Sequence, residues 1–144
     1  MSNIITTEMI RLHGSARNRD DAIREAGSIL VEAGAVSADY VDSMFDRESS
    51  VSTYMGNLLA IPHGTNEAKA SIIRSGVSVV RYDEAIDWDG NEVRFVVGIA
   101  GVGDSHLGVL GALATVFSDM SLVEKLLAAA SETEVEEILG LSQA

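Results

Sequence analysis

The chain has 144 residues, 47% of them hydrophobic and 22% charged, which suits one domain spanning 1–144 that buries a core without staples. Ten basic residues against 22 acidic ones leave a formal charge of −12, which repels nucleic acid and anionic membrane and steers a basic partner protein inward. With no cysteine in the sequence, disulfides, thiolate metal sites and cysteine nucleophiles are excluded within this chain. No apolar run approaches the ~20 residues of a membrane helix, and no basic N-terminus precedes an apolar stretch as in a signal peptide. The expectation is a soluble, cytoplasmic protein with no direct membrane insertion.

In chain order, the β-branched run Ile4–Leu12 predicts an entering strand, closed by His13 and Gly14. A helix is predicted over 20–33, with Asn18 as cap, Asp20 and Asp21 at the positive end of the dipole and Gly34 as stop. Ser37 is the expected cap of a second helix whose buried stripe is Tyr40, Val41, Met44 and Phe45, so that Asp46-Arg47-Glu48 falls at its C-terminal end. Arg47 there is either a solvated cation favourable to the dipole or a planar phosphate donor able to swing over a neighbouring site.

The stretch Leu58-Leu-Ala-Ile61 reads as a strand that stops at Pro62, the only proline, which lacks an N–H and fixes φ. His63 is thereby pushed out of the ladder. Gly64 is expected to use its φ > 0 freedom to leave the imidazole unshielded, and Thr65 with Glu67 to open a short helix over 65–70. A lone histidine in such a place is more often a surface or hydrogen-bonded residue than a reactive one. Held between a strand end and a helix N-terminus, it is also well placed to carry an anion.

Gly76–Tyr82 predicts a strand, and Ile86–Trp88, Asp89-Gly90-Asn91 and Val93–Ala100 a hairpin with a tight Asp-Gly turn. The last run enters Gly101–Ser105 and then a helix near His106 with Leu107, Leu110, Leu113, Ala114 and Phe117 as its core stripe. Glycines at 98, 101 and 103 are in the wrong order for a dinucleotide fingerprint, and no Lys-Ser/Thr follows for a P-loop. What remains is a turn that delivers His106 to a helix N-terminus, where an anion is favoured. Helices from 119 through 130 and over 132–139 close the chain.

Three separated segments carry a resemblance. Ile-Pro-His-Gly-Thr-Asn-Glu-Ala-Lys at 61–69, Met-Phe-Asp-Arg-Glu at 44–48 and Gly-Asp-Ser-His-Leu at 103–107 together resemble the type-2 IIA components, mannitol/fructose class, of the bacterial phosphoenolpyruvate-dependent sugar phosphotransferase system. The resemblance implies an α/β sandwich, a single-domain mixed sheet of about five strands with helices on both faces. It implies that His63 accepts a phosphoryl group at its tele nitrogen from the histidine phosphocarrier protein and passes it to a cysteine of a IIB domain of the same sugar permease. His106 then stabilises the phosphate and Arg47 the transition state, helped by N–H groups around Gly64 and Thr65, without cofactor or magnesium. Asn57 is expected to orient the His63 ring through its other nitrogen, and His13 has no match.

Residues 62–69 look more like mannitol than fructose members. The alternatives are a fructose-specific IIA, or a nitrogen-related regulatory IIA that acts by phosphorylation-dependent protein binding. A metal site at His63 and His106 is disfavoured, since no His-x-x-x-His spacing and no cysteine occur.

Overall fold

The Asp89-Gly90 turn is built as its residue types require, with φ of 54° and 94° and the Gly90 N–H donating to Asp87 Oδ1 at 2.9 Å. Paired positive φ angles match the right-handed twist of the flanking strands. The computed structural model that shows this describes residues 4–101 and 105–140, and the side chains of Asn66, Glu67, Lys69, Ser105 and His106 lie outside the described residues. The turn joins β4 (Gly76–Trp88) to β5 (Asn91–Ala100), an antiparallel pair at the centre of the sheet. β4 contains both of the expected segments, joined across an irregularity between Arg81 and Ile86 where Asp83, Glu84 and Ala85 face solvent.

Among the described residues one five-stranded sheet forms in the order β1-β4-β5-β3-β2, with β1 (Ile10–Arg11), β2 (Tyr54–Gly56) and β3 (Leu59–Ala60). β1 pairs with β4 and β3 with β5 in parallel, whereas β2 and β3 are antiparallel. Helices α1 (Arg19–Glu32) and α2 (Asp39–Ser50) cover one face, burying Ile23, Ala26, Leu30, Tyr40 and Met44 against Val80, Trp88, Val96 and Ala100. Helices α3 (Ser105–Phe117), α4 (Met120–Ala128) and α5 (Glu132–Leu139) cover the other, against Val77, Val79, Phe95, Val97 and Ile99. Strand alternation therefore divides the core into two layers, as the α/β sandwich reading requires. Among the described residues no single helix is long and apolar enough to cross a membrane, and the apolar pair α3–α4 is bent by 94°.

Several boundaries differ from expectation. Within 4–12 only Ile10–Arg11 is strand, because Thr7–Met9 turns as a 3-10 helix and burial falls on Ile5, Met9 and Ile10 without alternation. Ser37 does not cap α2 with its side chain; the hydroxyl instead contacts the Asp39 carboxylate. β2 was not expected, and it forms because Asn57 (φ 50°) and Leu58 (φ 74°) make a tight turn that delays β3 to Leu59. On α3 the buried face is Val109, Leu113, Val116 and Phe117, while Leu107 is 58% exposed and Ala114 faces solvent. That helix is apolar on nearly every side, so periodicity alone offered more than one stripe.

Two buried charges tie layers together. The Arg81 guanidinium donates to the Leu126 and Ala129 carbonyls at 2.9 and 2.8 Å, closing the C-terminal end of α4 from the sheet. Glu25 accepts from Tyr82 Oη at 2.7 Å, from the Ser15 and Ala16 N–H groups at 3.1 and 3.2 Å, and from Arg11 at 3.1 Å. Burial pushes the Glu25 carboxyl up, but these donors outweigh it and hold the group below the ordinary glutamate value.

A carboxyl whose folded value is depressed binds its proton more readily in the unfolded chain, so its contribution is present above the unfolded pKa and lost as pH falls through the folded one. Urea midpoints taken from about pH 6 down to pH 3 are expected to fall less steeply in Glu25→Gln than in wild type. Parallel curves would contradict this account of the Glu25 cluster.

Candidate functional site

The His63 segment is positioned first by a buried carboxylate at the end of α2. Glu48 accepts from the Thr53 N–H at 2.8 Å, from Thr53 Oγ1 at 2.5 Å and from Trp88 Nε1 at 3.0 Å, fastening the entry of β2 to the sheet. The Thr53 carbonyl in turn accepts from Ile61 N at 3.1 Å. Trp88, fully buried, thus has its polar tip satisfied, as a buried indole requires.

β3 ends at Ala60, yet the chain keeps its alignment with β5 beyond that point. The Pro62 carbonyl accepts from Ile99 N at 3.1 Å, and His63 stands opposite Ile99 as an isolated parallel bridge. Proline ends the donor side of the ladder but leaves its acceptor intact, so His63 is not expelled from the sheet but registered at its margin. Its ring is half-buried, and Nδ1 lies 2.8 Å from the Ile61 carbonyl. A carbonyl can only accept, so Nδ1 carries a proton, and in the neutral ring the basic lone pair is then on Nε2.

Gly64 serves a different purpose from the one expected. Its φ is not among the positive values; instead, a Cβ there would stand 2.5 Å from both Ser43 Oγ and Tyr40 Cε1. Glycine is present because α2 comes this close. The Gly64 N–H donates to Tyr40 Oη at 2.9 Å, so it is committed inside the protein and is not a donor for a bound anion. Beyond it a 3-10 helix, Asn66–Ser71, takes the place of the short helix expected over 65–70.

Of the other expected site residues, Arg47 donates from Nη1 to the Val51 carbonyl at 2.7 Å, closing the end of α2. Asn57 does not orient the imidazole: its Nδ2 donates to the Phe117 carbonyl at 2.6 Å, joining the β2–β3 turn to the end of α3, while Ile61 occupies the ring nitrogen. His106 is the second residue of α3, and its side chain, like residues 102–104 of the preceding glycine-rich turn, lies outside the described residues. The parallel pairing of β3 and β5 brings the two strand exits, one leading to His63 and one to α3, to the same edge of the sheet. His13 is exposed after β1 and pairs with Asp83 at 3.0 Å. Among the described residues no three His, Asp or Glu side chains converge as metal ligands.

Sequence reading missed Tyr40, Glu48 and Thr53 as positioning residues. The helical spacing places Tyr40 in a packing stripe, although a buried phenol also needs a polar partner. No local signal marked Glu48 as buried.

A tautomer-fixed imidazole at the carboxyl ends of the strands of a mixed open sheet fits an α/β domain that carries phosphoryl groups. Residues 3–140 match the family described as phosphoenolpyruvate-dependent sugar phosphotransferase system, EIIA 2, and the chain belongs to that family. It is a phosphotransferase component. Over 137 residues it is 52% identical to the mannitol-specific phosphotransferase enzyme IIA component of Halalkalibacterium halodurans, covering 95% of this chain and 94% of that one. The Escherichia coli enzyme IIA of mannitol, solved in complex with phosphorylated enzyme IIB, superposes with a TM-score of 0.86 at 37% identity, covering 94% and 96% of the two chains. The nitrogen regulatory protein IIA-Ntr of Neisseria meningitidis superposes with a TM-score of 0.82 at 30% identity, over 94% and 96%.

The close approach of α2 makes Gly64 intolerant of a side chain. Gly64→Ala is expected to lower unfolding stability by about 1–3 kcal/mol, the usual cost of overpacking a filled site. A urea midpoint equal to that of wild type would show that Tyr40 and Ser43 can retreat without cost.

Proposed function

We propose that the chain is a cytoplasmic phosphoryl carrier for mannitol uptake, taking phosphate from the histidine phosphocarrier protein on Nε2 of His63 and yielding it to a IIB cysteine. The observation that carries the reading is the bond from Nδ1–H of His63 to the Ile61 carbonyl, which assigns the lone pair to Nε2. That nitrogen attacks phosphorus in line. The Nε2–P bond forms as the donor's N–P bond breaks, and the electron pair returns to the departing imidazole. In the second step a IIB thiolate attacks the same phosphorus and Nε2 leaves.

Because such transition states are loose, the protein's part is to position the group and neutralise its equatorial oxygens. The N-terminus of α3 favours the anion, and a neutral His106 at that terminus can donate one N–H to it. Arg47 reaches the phosphate by releasing the Val51 carbonyl, exchanging a neutral acceptor for a charged one. The mannitol assignment is supported by the name of the 52% identical relative, set against 30% identity to the nitrogen regulatory protein. Exposed Leu107 on α3 and Val51 at the end of α2 supply apolar surface suited to docking both protein partners in turn.

Incubation with phosphorylated phosphocarrier protein, followed by mass mapping and 31P NMR, is expected to find phosphate on Nε2 of His63 and none in His63→Ala. Modification at another residue would overturn the reading, and acceptance without transfer to a mannitol IIB domain would favour a regulatory role. His106→Ala and Arg47→Ala are each expected to slow transfer about 10²–10³-fold, the cost of one lost transition-state donor. Unchanged rates would remove those two side chains from the site.

A further inference from the structure

The segment that holds His63 is fastened on its far side by a residue outside all three sequence motifs. Tyr40, near the start of α2 and 3% exposed, places its hydroxyl between two backbones: it accepts from Gly64 N at 2.9 Å and donates to the Ile99 carbonyl at 2.8 Å. Gly64 follows the proposed nucleophile directly, and Ile99 is the residue that stands opposite it in the parallel bridge. The Ser43 hydroxyl donates to the Tyr40 carbonyl at 2.7 Å, bracing the first turns of α2 at the point of contact.

We propose that Tyr40 is a positioning residue for phosphoryl transfer, its hydroxyl clamping the peptide after His63 to the end of β5 so that Nε2 points at the incoming phosphorus. The inference rests on His63 being the phosphoryl acceptor. Two constraints hold the imidazole: the Ile61 carbonyl fixes the ring through Nδ1, and Tyr40 fixes the peptide that follows it. Only a protonated phenol can donate to Ile99 while accepting from Gly64. Burial pushes the Tyr40 phenol up, only partly offset by the Gly64 N–H, so it stays protonated across the working range.

The same hydroxyl bridges toward the second half of the site. Ile99 lies just before the end of β5, the strand that precedes α3 in the chain, so one oxygen ties together the strand exits leading to both histidines. Removing it leaves a donor and an acceptor without their partner and leaves the bond from Ile99 N to the Pro62 carbonyl to hold the two exits without the phenol. In-line transfer is sensitive to displacements of about 1 Å, which cost on the order of 10²-fold.

The test is Tyr40→Phe, which keeps the ring and deletes the bridge. The expected result is a fall of about 10-fold to 10²-fold in kcat for phosphoryl acceptance, with KM for the phosphorylated phosphocarrier protein unchanged. The 15N shifts of His63 should move away from the pure Nδ1–H tautomer. A merely structural role would lower Tm but leave kcat, measured well below Tm, and those shifts at wild-type values, and that result would overturn the proposal. Hydrogen exchange at the Gly64 amide of the wild-type protein gives a reading that does not depend on how the variant folds: slow exchange is expected, and exchange at the rate of an open amide would overturn the clamp. If the wild-type chain takes no phosphate on His63, the carrier reading itself falls and the positioning role of Tyr40 falls with it. A phosphorylated wild type with an equally fast Tyr40→Phe removes the role of Tyr40 alone.

Discussion

Everything at the site depends on the alignment of the β3 exit with β5. The Ile99 N–H reaches the Pro62 carbonyl, and by that one bond the residue after the proline is registered against the central strand. Proline is tolerated in this position because the sheet asks it only for an acceptor. A residue with its own N–H could make the same bond, but it would also bring a donor needing a partner at a place where the ladder is ending. The parallel sense of the pairing matters as much as the bond, since it puts the exits of β3 and β5 at the same end of the sheet and so brings together segments far apart in the chain.

Around that alignment stand polar side chains that each join different elements of the fold. Glu48 holds β2 and Trp88, Tyr40 holds Gly64 and Ile99, and Asn57 holds the β2–β3 turn to the end of α3. Among the described residues no buried side-chain nitrogen or oxygen lacks a partner. In a low-dielectric interior such groups stabilise a single arrangement, because any shift leaves a donor or acceptor stranded at a cost greater than the bond's net worth in water. The loop that carries His63 is therefore short of regular structure without being short of constraints.

A phosphoryl carrier has to bind its cargo loosely enough to give it up. The ring of His63 is half-buried, its tautomer is set by a neutral backbone carbonyl, and the adjacent Gly64 N–H is already committed to a phenol. On the proposed reading of His63 as the phosphoryl acceptor, each of these limits the number of donors that could hold a phosphate in place, which suits a group that must leave again. The Arg47 guanidinium, occupied with the Val51 carbonyl at the end of α2, is likewise not committed in advance to an anion.

The alternation of helix and strand, the Asp89-Gly90 hairpin and the cap at Asn18 were legible in the sequence because each depends on residues close together in the chain. Gly64 shows the limit of that reading. Its flexibility was expected to matter, whereas it is small because Tyr40 and Ser43 lie against it. The rotation of α3 that exposes Leu107, the diversion of Asn57 to Phe117 and the bridge from Tyr40 to Ile99 were equally hidden. An apolar helix offers several faces to a core, and a polar side chain has many possible partners; which one it meets is decided only when strands far apart in sequence settle side by side.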